Sequence, residues 1–191
     1  MVDAARPVMP WLCTLVMLTV TACSTPDRPP EPAPTPTTPI PAPQLDVSRY
    51  LSDPCSGVPA NLSSRLGLRS RKSSHSKIII NAGDQAECQL TTGPPLTAAA
   101  AVRFYPHARP LTLVFGPGSG IKPTTVAGYP AGEWIQSTGA DGSFTSCQYI
   151  VDIAETQGFG TLYNGPSGEP IETSCAHAKE LADSVIAAIP R

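Results

Sequence analysis

The sequence predicts an α+β domain: a mostly antiparallel sheet of about five or six strands, with a short helix before it, a longer helix after it, and two disulfides. Three observations carry this expectation. Apolar residues alternate through Tyr149, Val151 and Ile153, the period of a half-buried strand. Ala178, Leu181, Ala182, Val185, Ile186 and Ile189 form a helical stripe near the carboxy terminus. Four cysteines, Cys55, Cys88, Cys147 and Cys175, fall within the same stretch of chain. With 191 residues, 41% of them hydrophobic and 15% charged, there is material for one core. The formal net charge of −2, from 13 basic and 15 acidic residues, argues against a nucleic-acid partner, which calls for a basic excess or stripe.

Residues 1–22 read as an export signal. Arg6 and the amino terminus supply a thin positive region, partly offset by Asp3, before an apolar run from Val8 to Val20 that contains Pro10. That run is shorter than the ~20 residues needed to span a bilayer core. It ends in Val20-Thr21-Ala22-Cys23, which resembles the bacterial lipobox, with small residues before a cysteine whose thiol takes diacylglycerol. Cys23 is then the mature amino terminus, bearing two or three acyl chains (palmitate among them), and two chains anchor where one would be reversible. The rival is cleavage at Ala22 with Cys23 incidental, but a polar tether begins at once. Residues 23–44 are rich in Pro and Thr, as in Ser24 to Pro43, STPDRPPEPAPTPTTPIPAP. Proline at this density fixes φ and removes amide donors, so the stretch reads as a polyproline II spacer reaching on the order of 60 Å. Thr25, Thr35, Thr37 and Thr38 are possible glycan acceptors on it.

The folded domain is placed at residues 45–191. Ser56 to Leu68 predicts a short helix with Pro59 early and Gly67 near its end. Ala86 to Thr91 and Ala98 to Tyr105 read as strands, and Leu111 to Phe115 is ambiguous. Thr124 to Ala127 and Gly132 to Ser137 read as strands around Gly128-Tyr129-Pro130. An Asp141-Gly142 turn leads into Phe144 to Ala154, with Phe159 to Tyr163 as its hairpin partner. In the final helix Ser174 is a cap and Pro190 the stop. Cys13 leaves with the leader and Cys23 takes lipid, so four cysteines remain and an even set in an exported chain implies disulfides. Three connectivities are open; Cys55–Cys88 and Cys147–Cys175 are favoured because each pair flanks an element otherwise weakly held. Metal is disfavoured, since there is no Cys-x-x-Cys and His75, His107 and His177 are scattered.

A resemblance comes from ordered short motifs: Asp53-Pro54-Cys55, Leu66-Gly67-Leu68, Cys88-Gln89-Leu90, Val126-Ala127-Gly128-Tyr129-Pro130-Ala131, Cys147, and Cys175-Ala176-His177-Ala178-Lys179 closing at Ile189-Pro190. Together with the lipobox and spacer, this order resembles the actinobacterial lipoproteins grouped as domain of unknown function family 3558, from about Asp53 to Pro190. Two departures are Leu90, where the family usually has tryptophan, and a longer, more basic Arg69 to Lys77. The resemblance implies an α+β domain and an address outside the cytoplasmic membrane, and it brings no activity or site residues.

Candidate chemistry is sparse. Ser74-His75-Ser76-Lys77 has the Ser-x-x-Lys spacing of penicillin-binding enzymes, yet it lies in RSRKSSHSK, read as a polar loop, and the chain has no Lys-Thr-Gly. The Gly-Pro stretches Gly116 to Gly120 and Gly165 to Gly168 miss the Gly-x-Ser-x-Gly register and read as turns. Arg65, Arg69, Arg71, Lys72 and Lys77 form the one charge cluster, a candidate contact for anionic headgroups or wall polymers, though a solvated loop explains it too. Glu169, Glu172, Glu180 and Asp183 lack calcium-loop spacing. Tyr129, Trp134, Tyr149, Phe159 and Tyr163 either line a groove for an apolar or glycan ligand or fill the core under the last helix.

These residues point to a non-enzymatic, lipid-anchored binding module on the outer face of the cytoplasmic membrane, with no cofactor, no metal and no nucleic acid. The alternatives are an envelope hydrolase whose site is built from scattered residues such as His107 or His177, and an accessory or sensor subunit of a membrane complex.

Overall fold

The computed structural model describes residues 38–41, 43–77, 84–113, 119–138 and 144–191. The leader, Cys23, Thr25, Thr35, Thr37 and the Asp141-Gly142 turn lie outside the described residues, as does most of Gly116 to Gly120. Seven strands form one antiparallel sheet: β1 (Ser70–Lys77), β2 (Asp84–Thr91), β3 (Ala99–Tyr105), β4 (Lys122–Val126), β5 (Tyr129–Thr138), β6 (Phe144–Ala154) and β7 (Gln157–Asn164). The order β1-β2-β3-β7-β6-β5-β4 is two meanders meeting at β3 and β7, with the chain crossing to the far edge between β3 and β4. The helices are α1 (Ala60–Arg65), α2 (Pro110–Leu113) and α3 (Ile171–Ala188).

The strand count corrects the expected five or six. The additional strand is β1, the RSRKSSHSK stretch read as a loop. It has almost no apolar alternation, so its pairing with β2 carries it: Ser73 lies opposite Cys88 and Arg71 opposite Leu90. The expected helix over Ser56 to Leu68 is likewise shorter, a 3-10 turn (Pro54–Gly57) followed by α1. Gly57 is packed so closely that a Cβ there would lie 2.6 Å from Phe104 Cζ, and Gly67 ends the helix at φ 68°. The ambiguous Leu111 segment is helical through Leu113. The turn expected at Gly128-Tyr129-Pro130 sits one residue earlier, at Ala127 and Gly128 with φ 48° and 88°, as a two-residue hairpin requires. Tyr129 and Pro130 already belong to β5.

Face assignments follow from register, since opposed residues of an antiparallel pair share a face. Cys147, Tyr149 and Val151 of β6 align with Tyr163, Thr161 and Phe159 of β7, and these with Ala100, Val102 and Phe104 of β3. This face is the core, covered by Ala178, Leu181, Ala182, Val185 and Ile186 of α3 and by Val47, Tyr50, Val58 and Leu62. The expected helical stripe is therefore buried. Ser174 is inside α3 and does not cap it; Pro170 holds the N-cap position, and the fully buried Ser174 hydroxyl donates to Glu169 Oε2 at 2.7 Å. Disulfides join Cys55 to Cys88 and Cys147 to Cys175. The first fastens the amino-terminal turn to β2 and the second fastens α3 to β6.

The described residues begin at Thr38, within the stretch read as spacer. Residues 38–47 run past the β6–β7 turn. Arg109 donates to the Thr38 carbonyl at 2.7 Å, Tyr129 Oη to the Pro43 carbonyl at 2.5 Å, and the Val47 amide to Gln157 Oε1 at 2.8 Å. The Leu45 amide donates to the Ile153 carbonyl at 3.1 Å.

Candidate functional site

The residues singled out by sequence are dispersed. Arg65, on α1, is ion-paired with Glu180 of α3 at 2.5 Å. Arg71 donates to the Val58 carbonyl and shares the core-side face of β1, while Lys72 points to the opposite face, across from Gln89. Arg69 and Lys72 are exposed; the Lys77 side chain lies outside what is described. The basic residues thus flank one sheet edge without converging on a point. His75 Nε2 lies 2.5 Å from the Leu51 carbonyl, His107 is exposed, and His177 meets the edge of Tyr163 at 4.7 Å, with a buried Nδ1 that has no partner among the described residues. Among those residues no histidine is hydrogen-bonded to a serine, cysteine or carboxylate, and no cluster of three metal-ligating side chains occurs. Of the acidic residues, Lys179 pairs with Asp183 at 2.8 Å. No described helix is long and apolar enough to cross a membrane.

The five aromatics separate. Tyr129, Tyr149, Phe159 and Tyr163 are in the core. The Tyr149 hydroxyl donates to Glu133 Oε2 at 2.6 Å, and burial, reinforced by that carboxylate, pushes its ionisation well above the tyrosine range. Trp134 is turned away. It lies opposite Gln148 on the face that α3 does not touch, and it is partly exposed.

That second face carries the convergent polar groups. At its lower end α2 packs down: a Cβ on Gly158 would lie 2.3 Å from Pro110 Cδ, and one on Gly132 2.9 Å from Leu111 Cδ2. Beside it the buried Arg109 and Asp152 pair at 2.9 Å, and Asp152 also accepts from the Leu111 amide at 3.2 Å. Burial outweighs the neighbouring guanidinium and holds the Asp152 carboxyl above the usual aspartate range. Farther up, one row across the sheet reads Gln89, Ala101, Leu162, Gln148, Trp134, and the next reads Glu87, Arg103, Gly160, Ile150. Arg103 Nε donates to Glu87 Oε2 at 2.7 Å and Gln89 Nε2 to Glu87 Oε1 at 2.7 Å. A Cβ on Gly160 would lie 3.3 Å from Gln148 Nε2 and 3.8 Å from Cε2 of the fully buried Tyr105, so the Gln148 amide and the Tyr105 ring together cover that stretch of backbone. None of the Glu87, Arg103 and Gln148 contacts has a local sequence motif; strand parity is the one signal that groups them.

Fold and site together define a doubly disulfide-linked α+β domain with one face of its sheet packed on a long helix and the other carrying the Arg103–Glu87 and Arg109–Asp152 pairs. The chain belongs to the DUF3558 family, proteins of unknown function, whose match spans residues 18–188. No curated protein and no solved structure matches it.

Proposed function

We propose that this chain is a lipid-anchored protein of the cell envelope, carrying its domain outside the cytoplasmic membrane as a non-catalytic binding module. The observation that carries the reading is Val20-Thr21-Ala22-Cys23 at the end of an apolar run and at the head of a proline-rich stretch. Two disulfides in the folded part agree with an oxidising compartment. The binding role is supported by the polar sheet face, where an aromatic side chain, amides and a paired charge gather without a nucleophile–base pair.

The test is metabolic labelling with palmitate in the native host. The wild-type chain takes label at Cys23 and sediments with membranes. Cys23→Ala loses both, whereas a Cys23→Ala chain that still sediments and still carries label removes the proposal.

A further inference from the structure

We propose that the free edge of β1 takes an extended acidic segment of a partner protein as an eighth, antiparallel strand. The backbone between Ser70 and Ser76 supplies the hydrogen bonds, and Arg69, Arg71 and Lys72 select the charge. This edge is separate from the sheet face that supports the binding-module reading. Its use goes beyond that reading and stands without the lipid anchor.

A sheet edge carries a row of backbone N–H and C=O groups that point away from its single neighbour. The two edges of this sheet differ. β4 is five residues long and contains Pro123, two devices that blunt an edge. β1 is eight residues long, has no proline, and pairs with β2 in unbroken register from Ser70 to Lys77. Among the described residues, no loop backbone bonds to it on its open side. Polar side chains on its core-side face hold it to the segment from Leu51 to Val58. Arg71 donates to the Val58 carbonyl, the Ser73 hydroxyl donates to Asp53 Oδ1 at 3.4 Å, and His75 Nε2 reaches the Leu51 carbonyl. The Cys55–Cys88 disulfide ties the same segment to β2. A strand held in this way is already ordered when a partner arrives, so association does not bear the entropy of forming it.

Charge identifies the occupant. No acidic residue occurs between Arg65 and Lys77. Nearby acids are spoken for: Glu180 takes Arg65, Glu87 takes Arg103, and Asp84 lies opposite Lys77. Arg69, Arg71 and Lys72 are exposed, and among the described residues none of the three is in an ion pair. A second copy of β1 would set these cations against cations, and like charges directly opposite one another destabilise a sheet. The same charges favour a strand that bears Asp or Glu. An anionic membrane surface or wall polymer fits the edge less well. Arg71 and Lys72 lie on opposite faces of β1; a flat surface meets one face, whereas consecutive residues of an added strand reach both. Neither a lipid headgroup nor a polysaccharide supplies the regular row of N–H and C=O groups that the open edge matches.

The test titrates the full chain, in a non-ionic detergent, with the fluorescently labelled peptide Thr-Val-Glu-Glu-Thr-Glu-Val-Thr. Laid antiparallel to β1, its glutamates face Lys72, Arg71 and Arg69. Anisotropy should rise to saturation, and hydrogen exchange of the β1 amides should slow on binding. Two further peptides each carry N-methyl groups on one alternate set of amides, which keeps the charge and removes donors. The peptide methylated on the set that faces β1 should bind at least about tenfold more weakly. Lys72→Glu, at an exposed position that does not threaten folding, should weaken binding of the parent peptide at least about threefold. A peptide with lysine in place of the facing glutamate should recover it. Absence of binding overturns the proposal, as does equal binding by the parent and both methylated peptides. Slowed β1 exchange that grows with protein concentration in the absence of peptide overturns it by making a second copy the occupant. Tighter binding to phosphatidylglycerol vesicles than to peptide, with β1 exchange unchanged, overturns it by reducing the edge to an anionic-surface contact. Palmitate labelling of Cys23 is read on the same preparations, so failure at the edge and failure of the anchor are separable.

Discussion

Replacing Arg109 by methionine leaves the Asp152 carboxylate alone in the interior. Its side chain is 1% exposed and that of Arg109 8%, so water does not substitute for the lost guanidinium; the remaining donor is the Leu111 amide. Removing one partner of a buried pair costs about 3–5 kcal/mol. In urea unfolding at neutral pH, with a slope of about 2 kcal/mol/M, the midpoint should fall by roughly 1.5–2.5 M. Burial already raises the Asp152 pKa above its ordinary 3.8, and losing Arg109 raises it further. As pH falls through that raised value, native protein gains a proton that unfolded protein binds only nearer 3.8, so native protein is favoured and the deficit shrinks. The variant should therefore lie closer to wild type at pH 5 than at pH 7, by about 1.4 kcal/mol for each pKa unit that separates Asp152 in the two proteins over that range. Arg109→Met/Asp152→Leu, with no charge left to bury, should recover most of the loss. A deficit below about 1 kcal/mol, a deficit equal at both pH values, or a double variant no better than the single one refutes the reasoning.

Disulfide closure of loops with separations of 33 and 28 residues is worth about 3.5 kcal/mol each. Cys147→Ser/Cys175→Ser and Cys55→Ser/Cys88→Ser should each lower the unfolding free energy by that amount in chemical denaturation, and thiol reduction should lower it further than either alone. Gly57→Ala drives a methyl into the fully buried Phe104 ring, an overpacking cost of about 1–3 kcal/mol, read as a drop in Tm of several degrees. Thr161→Val removes the buried hydrogen bond to the Ala178 carbonyl at 2.8 Å and should cost about 1 kcal/mol in chemical denaturation. Tyr149 resists ionisation in the native state while an unfolded tyrosine titrates near 10. Stability should therefore fall as pH climbs past 10, and Tyr149→Phe should flatten that decline.

Elements with strong periodicity are legible in the sequence. The α3 stripe from Ala178 to Ile189 and the alternation of Tyr149, Val151 and Ile153 each match one period, and the structure buries both sets. β1 was not legible because its strand character resides in β2, its partner. The helix over Ser56 to Leu68 was overextended because Gly67 and Pro59 mark boundaries without fixing how many residues between them are helical. For the polar face the case is mixed. Trp134 and Tyr129 share one expectation, groove lining or core, although their odd separation on one strand puts the two on opposite faces. Arg109 and Asp152 are 43 residues apart, and Arg103 meets Glu87 through strand pairing, so neither contact had a local signature.

The fastening of residues 38–47 to the β6–β7 turn determines where mechanical load enters the domain. Tension drawn through the amino-terminal arm reaches the Leu45 amide and the Ile153 carbonyl and passes to the interior strands β6 and β7, while the edge strands β1 and β4 are spared. A domain held at such a point resists being peeled open strand by strand, because the first strands pulled have a neighbour on either side.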